Sequence, residues 1–98
     1  MDPVSVSLLE ILNELVEEDV KRFKWHLNQD QFGPEFPPIP KGQLEKADRS
    51  DTVDYMVKNY RESGAVTISW KILTKMKQNQ LVDQLLNIHA PAHWNLPI

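Results

Sequence analysis

The chain of 98 residues contains no cysteine. That excludes a disulfide framework, a thiol nucleophile and a cysteine-based zinc site. Only three glycines are present, too sparse for a loop that cradles a phosphate. Uninterrupted apolar runs reach only two or three residues. Nothing in the sequence therefore reads as a helix crossing a membrane. The opening stretch MDPVSVSLLE carries Asp2 and Glu10 and no basic region, so it is not expected to be a signal peptide. A reducing, cytoplasmic setting is the expectation.

What is present fits one small globular domain. Hydrophobic residues make up 41% and charged residues 26%, values that argue against disorder or a fibre. The net charge of −3 disfavours bulk affinity for nucleic acid. The placement of charge says more than its sum. Residues 1–19 hold six acids, Asp2, Glu10, Glu14, Glu17, Glu18 and Asp19, and no lysine or arginine. Residues 20–29 then hold Lys21, Arg22 and Lys24 and no acid.

Hydrophobic spacing predicts an all-α chain. Over residues 5–16, Leu8, Leu9, Ile11, Leu12, Leu15 and Val16 fall within an arc of about 160°, with the glutamates opposite. Residues 18–29 form a second helix with Val20, Phe23 and Leu27 on one face, and acids at its positive end. Their short connection predicts an antiparallel hairpin. Gly33 and four prolines in DQFGPEFPPIP exclude a regular helix over 30–40. Phe32, Phe36 and Ile39 are the candidates to pin this loop to the body. A short helix over 41–47 is anchored by Leu44, and a longer one over 50–62 is capped by Ser50 or Asp51. Gly64 is the expected left-handed stop. Residues 65–78 contain VTIS, a run with β propensity, but helical spacing continues to Met76 and outweighs it. Asn79 is the expected cap of a last helix over 80–89. Residues 1–90 are expected to form the domain and 91–98 a linker or tail.

No set of nucleophile, base and stabilising shell stands out, so catalysis is not expected, nor a cofactor. His89 and His93 have the i, i+4 spacing of metal ligands, but Pro91 separates them and no third ligand is near. They read as tail histidines, and no metal site is expected. Glu10, Glu14 and Glu17 share a helix face that suits plain solvation as well as contact. Trp25 falls among Lys21, Arg22 and Lys24, away from the apolar stripe. Two readings fit it: an exposed hot spot among cations, or a side chain covered by the 30–40 loop. An acidic side and a basic side on one body permit head-to-tail association. The cations of 20–29 also permit a small helical nucleic-acid reader, which the acidic neighbours oppose.

The run LLEILNELVEEDVKRFKWHL resembles the first two helices of pyrin domains, within the death-fold superfamily. The family's K-x-F-K-x-x-L pattern stands here as Lys21, Phe23, Lys24 and Leu27. IPKGQLEKAD is similar to the family's segment after the loop, with Ile39, Pro40, Lys41 and Leu44. DTVDYMVKNYRESGAV and ISWKILTKMKQNQLVDQLL resemble its fourth, fifth and sixth helices. The likeness covers about residues 5–88.

This resemblance implies a six-helix death-fold bundle of Greek-key topology, with a short third helix and a long proline-rich loop between helices two and three. It implies homotypic contact with other pyrin-domain proteins, or with further copies of itself in a filament, in innate-immune inflammasome signalling. It implies no nucleic-acid or membrane partner. Carried over by position, the basic face is Lys21, Arg22, Lys24 and Lys41, with Trp25 as an apolar centre. The acidic face is Glu10, Glu14, Asp48, Asp51 and Asp54. Asn13 stands where many members carry an acid, and His26 where a lysine is frequent. Another death-fold subfamily is the neighbouring alternative, against which the long loop and IPKGQL speak.

Overall fold

The computed structural model describes residues 3–29 and 36–88. These residues form helices without strands: α1 (Pro3–Asn13), α2 (Glu17–Gln29), α3 (Lys41–Leu44), α4 (Arg49–Lys75) and α5 (Asn79–Ile88). The all-helical architecture agrees with a death-fold bundle. The expected contributions of Phe32 and of His89 and His93, and the tail 91–98, lie outside the described residues.

The core follows the apolar stripes. Leu8, Ile11 and Leu12 of α1, Phe23 and Leu27 of α2, Ile68, Ile72 and Leu73 of α4, and Leu85 of α5 are all buried. The centre is α4, on which α1, α2 and α5 all pack. The first two helices, expected as a hairpin, pack mainly on other elements. α1 leans on α4 and α5, and α2 on α4 and α3. A shared apolar platform outweighs the closeness of the two helices in sequence.

Several boundaries differ from the expectation. α1 ends at Asn13, where Glu14 and Leu15 donate to the carbonyls of Ile11 and Leu12 in a tightened last turn. Leu15 still turns inward, but Val16 leaves the apolar arc and is 65% exposed. Its carbonyl instead opens α2, accepting from the N–H groups of Asp19 and Val20. The cap of α4 is Asp48, not Ser50 or Asp51. Its backbone is extended and its carboxylate accepts the Asp51 N–H at 2.7 Å. Asn79 lies inside α5, and the Gln78 carbonyl before it accepts the Val82 N–H.

The predicted stop at Gly64 falls instead on Arg61. Arg61 has φ 63° and ψ 178°, which breaks α4 into arms over 49–60 and 62–75. Gly64 serves close approach rather than backbone reversal. A Cβ there would lie 2.9 Å from Phe36 Cε1 and 2.9 Å from Tyr60 Cβ. The notch lets Phe36 meet the Tyr60 ring edge-on at 5.7 Å. The Tyr60 hydroxyl donates to the Pro37 carbonyl at 2.6 Å, and burial pushes that phenol up to about 12. It therefore remains a donor through the neutral range.

The backbone of Arg61 lies in a region that only glycine occupies without strain, at a cost of about 1–3 kcal/mol. Its side chain is exposed. Arg61→Gly should therefore stabilise the fold by about 1 kcal/mol after the added entropy of the unfolded chain is subtracted. A rise in Tm of about 4–8 °C in a thermal melt is the expected reading for a domain of this size. A fall in Tm would refute the strained geometry.

The VTIS run is helical. Thr67 donates back to the Ser63 carbonyl at 3.0 Å, and Ser69 to Met56 Sδ at 3.7 Å. Both buried hydroxyls are thus satisfied inside the bundle, and tertiary burial overrides the strand preference.

Candidate functional site: a basic hollow and an acidic shoulder

α2 places Val20, Phe23 and Leu27 in the core, so the residues between them face outward. Lys21 and Arg22 are exposed and Lys24 is half-buried. Trp25 is 57% exposed, which decides between its two readings in favour of an open aromatic. Its ring meets His26 edge-on at 5.1 Å.

The segment after α2 returns alongside it. The Ile39 N–H donates to the Leu27 carbonyl at 3.0 Å, and Asn28 donates to the Ile39 carbonyl at 3.0 Å. With Ile39 and Leu44 buried, α3 is held beside α2. Between them lies an open hollow of ≈ 300 Å³, lined by Lys21, Lys24, Trp25, Lys41 and Leu44 among others. Four of the five residues assigned to the basic face thus meet in one depression. Arg22 is exposed on α2 but does not line it. One acid, Glu45, does. Lys24 has a second duty: its Nζ donates to the Ala47 carbonyl at 2.9 Å, strapping α2 to the turn before α4. Lys21 and Lys41 are the cations left facing outward at the rim.

The residues assigned to the acidic face lie on other segments. Glu10 is exposed on α1 and Glu14 just beyond its end. Asp48, Asp51 and Asp54 are exposed at the start of α4. Arg49, which the sequence reading did not single out, joins these segments. Its Nε donates to the Leu12 carbonyl at 2.9 Å and one terminal nitrogen to the Leu15 carbonyl at 2.8 Å. The other meets Glu17 Oε1 at 3.3 Å. One guanidinium therefore closes the end of α1, touches the start of α2 and belongs to the first turn of α4. Arg49 thereby ties the turn that bears Glu14 to the start of α4, which bears Asp48 and Asp51. Glu10 stands one turn back on α1 and Asp54 one turn further along α4. An arginine amid acids carries no periodic signal that would single it out in the sequence.

Among the described residues there is no group of three histidine, cysteine, aspartate or glutamate side chains that could hold a metal ion. No described helix is long and apolar enough to cross a membrane. The arrangement is suited to contact through charge and one aromatic.

Comparison with known proteins identifies the family of this chain. The model of the PAAD/DAPIN/Pyrin domain matches residues 7–83. Caspase b of Danio rerio is 40% identical over 99 residues, covering 97% of this chain and 24% of that protein. NACHT, LRR and PYD domains-containing protein 10 of Homo sapiens is 34% identical, over 84% of this chain and 12% of its own length. The apoptosis-associated speck-like protein containing a CARD of Mus musculus is 30% identical, over 81% of this chain and 41% of its own. The chain thus spans between about an eighth and two fifths of the length of these relatives. With the family pattern matched across most of its residues, the chain belongs to the PAAD/DAPIN/Pyrin domain family.

Proposed function

We propose that the chain is a homotypic docking module that recruits other pyrin domains. The basic face, Lys21, Arg22, Lys24, Trp25 and Lys41, receives an acidic face equivalent to Glu10, Glu14, Asp48, Asp51 and Asp54. The observation that carries this reading is the hollow between α2 and α3, which gathers three lysines around an open tryptophan. Each exposed ion pair contributes only about 0–1 kcal/mol. Several pairs around a desolvated aromatic are needed for a specific contact. A donor face and an acceptor face on one body allow repetition, and repetition nucleates a filament.

Residues 1–90 constitute the module and 91–98 the linker of a longer cytoplasmic protein in inflammasome signalling. The names of the relatives, which join PYD to NACHT and LRR domains or carry a CARD, support that setting. The segment contributes recognition rather than catalysis.

Lys21→Glu combined with Lys41→Glu should abolish capture of this chain by an immobilised pyrin domain of the speck-like protein. Both side chains are exposed, so the helical circular-dichroism signal should persist. Binding of the parent chain should also weaken as salt is raised. A folded double variant that is captured as well as the parent would reject the reading.

A further inference from the structure

The hollow between α2 and α3, at ≈ 300 Å³, has the size of a small-molecule site. Trp25 in its lining is 57% exposed, the largest of the exposed apolar side chains. Around it stand Lys21 and Lys24 of α2 and Lys41 of α3. Lys21 and Lys41 make no hydrogen bond or ion pair among the described residues. Lys24 uses one N–H on the Ala47 carbonyl and keeps two. We propose that the hollow binds a nucleoside diphosphate, with the base stacked on Trp25 and the phosphates held by the three lysines.

Each half of that ligand answers a feature the other half leaves unmet. A bare inorganic anion would leave the indole in water, and a neutral ring would leave the ammonium groups unmatched. An exposed aromatic is a stacking platform for any base. Ammonium groups from two walls suit a chain of phosphates better than a single one. From Lys21 to Gln29 the α2 side of the lining extends about 12 Å, so ring and phosphates can lie side by side. Gln29 donates through its amide nitrogen to Asn28, which leaves its carbonyl oxygen to accept from an amino or hydroxyl group of the ligand. A polymer fits less well. The chain carries a net charge of −3, which repels a strand that runs on beyond the lysines. The nucleotide and a partner's acids would use the same cations. On the docking reading above, on which this one consequence rests, a bound nucleotide shuts the partner out.

The test is isothermal titration calorimetry of ADP, adenosine and pyrophosphate into the full 98-residue chain, with no partner present. Light scattering first sets a concentration at which the chain is monomeric. ADP should bind at one site with a Kd below about 1 mM. Adenosine and pyrophosphate should each bind at least about tenfold more weakly. Trp25→Ser should weaken ADP about tenfold and leave pyrophosphate unchanged. Lys21→Gln combined with Lys41→Gln should weaken both. Lys58→Gln, exposed on α4 and outside the lining, should change neither. All four side chains are exposed, so the fold should stand, as circular dichroism will check. The proposal is overturned if ADP binds more weakly than about 1 mM, if either fragment binds as tightly as ADP, or if Trp25→Ser binds ADP like the parent. Tighter binding of a thymidine oligonucleotide than of ADP would overturn it too, in favour of a single-strand reader. None of these results touches the docking reading, which stands or falls on capture of the Lys21 and Lys41 reversal by the other pyrin domain.

Discussion

Phe23→Ala is expected to remove about 4 kcal/mol of stability. Phe23 is 1% exposed and is the largest of the fully buried side chains. Its loss deletes an aromatic from the core where α2 rests on α4, and the packed surroundings relax only partly into the gap. A domain of this size has only about 5–15 kcal/mol to lose. In urea the midpoint should fall by about 2 M, taking about 2 kcal/mol per molar for the slope. The functional consequence follows from position. Lys21, Lys24 and Trp25 are carried by the turns on either side of Phe23, so the hollow exists only while this side chain anchors α2. Phe23→Leu, which keeps most of the volume, should cost less than about 1.5 kcal/mol and keep partner capture. A loss below about 1 kcal/mol for the alanine variant would mean that the core repacks freely, contrary to the tight burial seen here.

Arg49→Ala is expected to cost about 3 kcal/mol. Two carbonyls at the end of α1 lose their charged donor, and such half-buried bonds are stronger than neutral ones. The ion pair with Glu17 adds little, because the Glu17 side chain is 78% exposed. Three variants separate these parts in thermal or urea melts. Glu17→Gln should lie within about 1 kcal/mol of the parent. Arg49→Lys should recover less than half of the loss, because one ammonium cannot fork between the Leu12 and Leu15 carbonyls. Equal destabilisation by Glu17→Gln and Arg49→Ala would place the energy in the ion pair and refute this account.

The helical class, the buried stripes and the membership in the family were legible because they rest on repeated signals. Leu8, Ile11 and Leu12 recur at helical spacing, and Val20, Phe23 and Leu27 do the same. What escaped was fixed by single atoms. The end of α1 depends on which carbonyl finds the Arg49 guanidinium, and no periodicity reports that. Val16 continues the apolar period of the first helix, but that helix ends at Asn13 and the residue turns outward. Gly64 looked like a stop because glycine so often is one. Here it makes room for Phe36, while Arg61 bears the unusual backbone. The basic face was readable as a composition, but not the division of labour within it. Lys24 is partly consumed by the Ala47 carbonyl, and Arg22 lies off the hollow. Those facts need the course of the chain after α2, which proline-rich composition leaves open.

The connection between α2 and α3 is moored at both shores. On one side the Leu27 carbonyl and Asn28 grip Ile39; on the other, Phe36 drops into the notch at Gly64. Closing a connection between such moorings costs little extra as its length grows, a doubling adding only about 0.6 kcal/mol. Substitutions and insertions in that span can therefore accumulate without disturbing the bundle. Descendants of this fold are free to vary that span while the residues of α2 and α3 that line the hollow stay as they are.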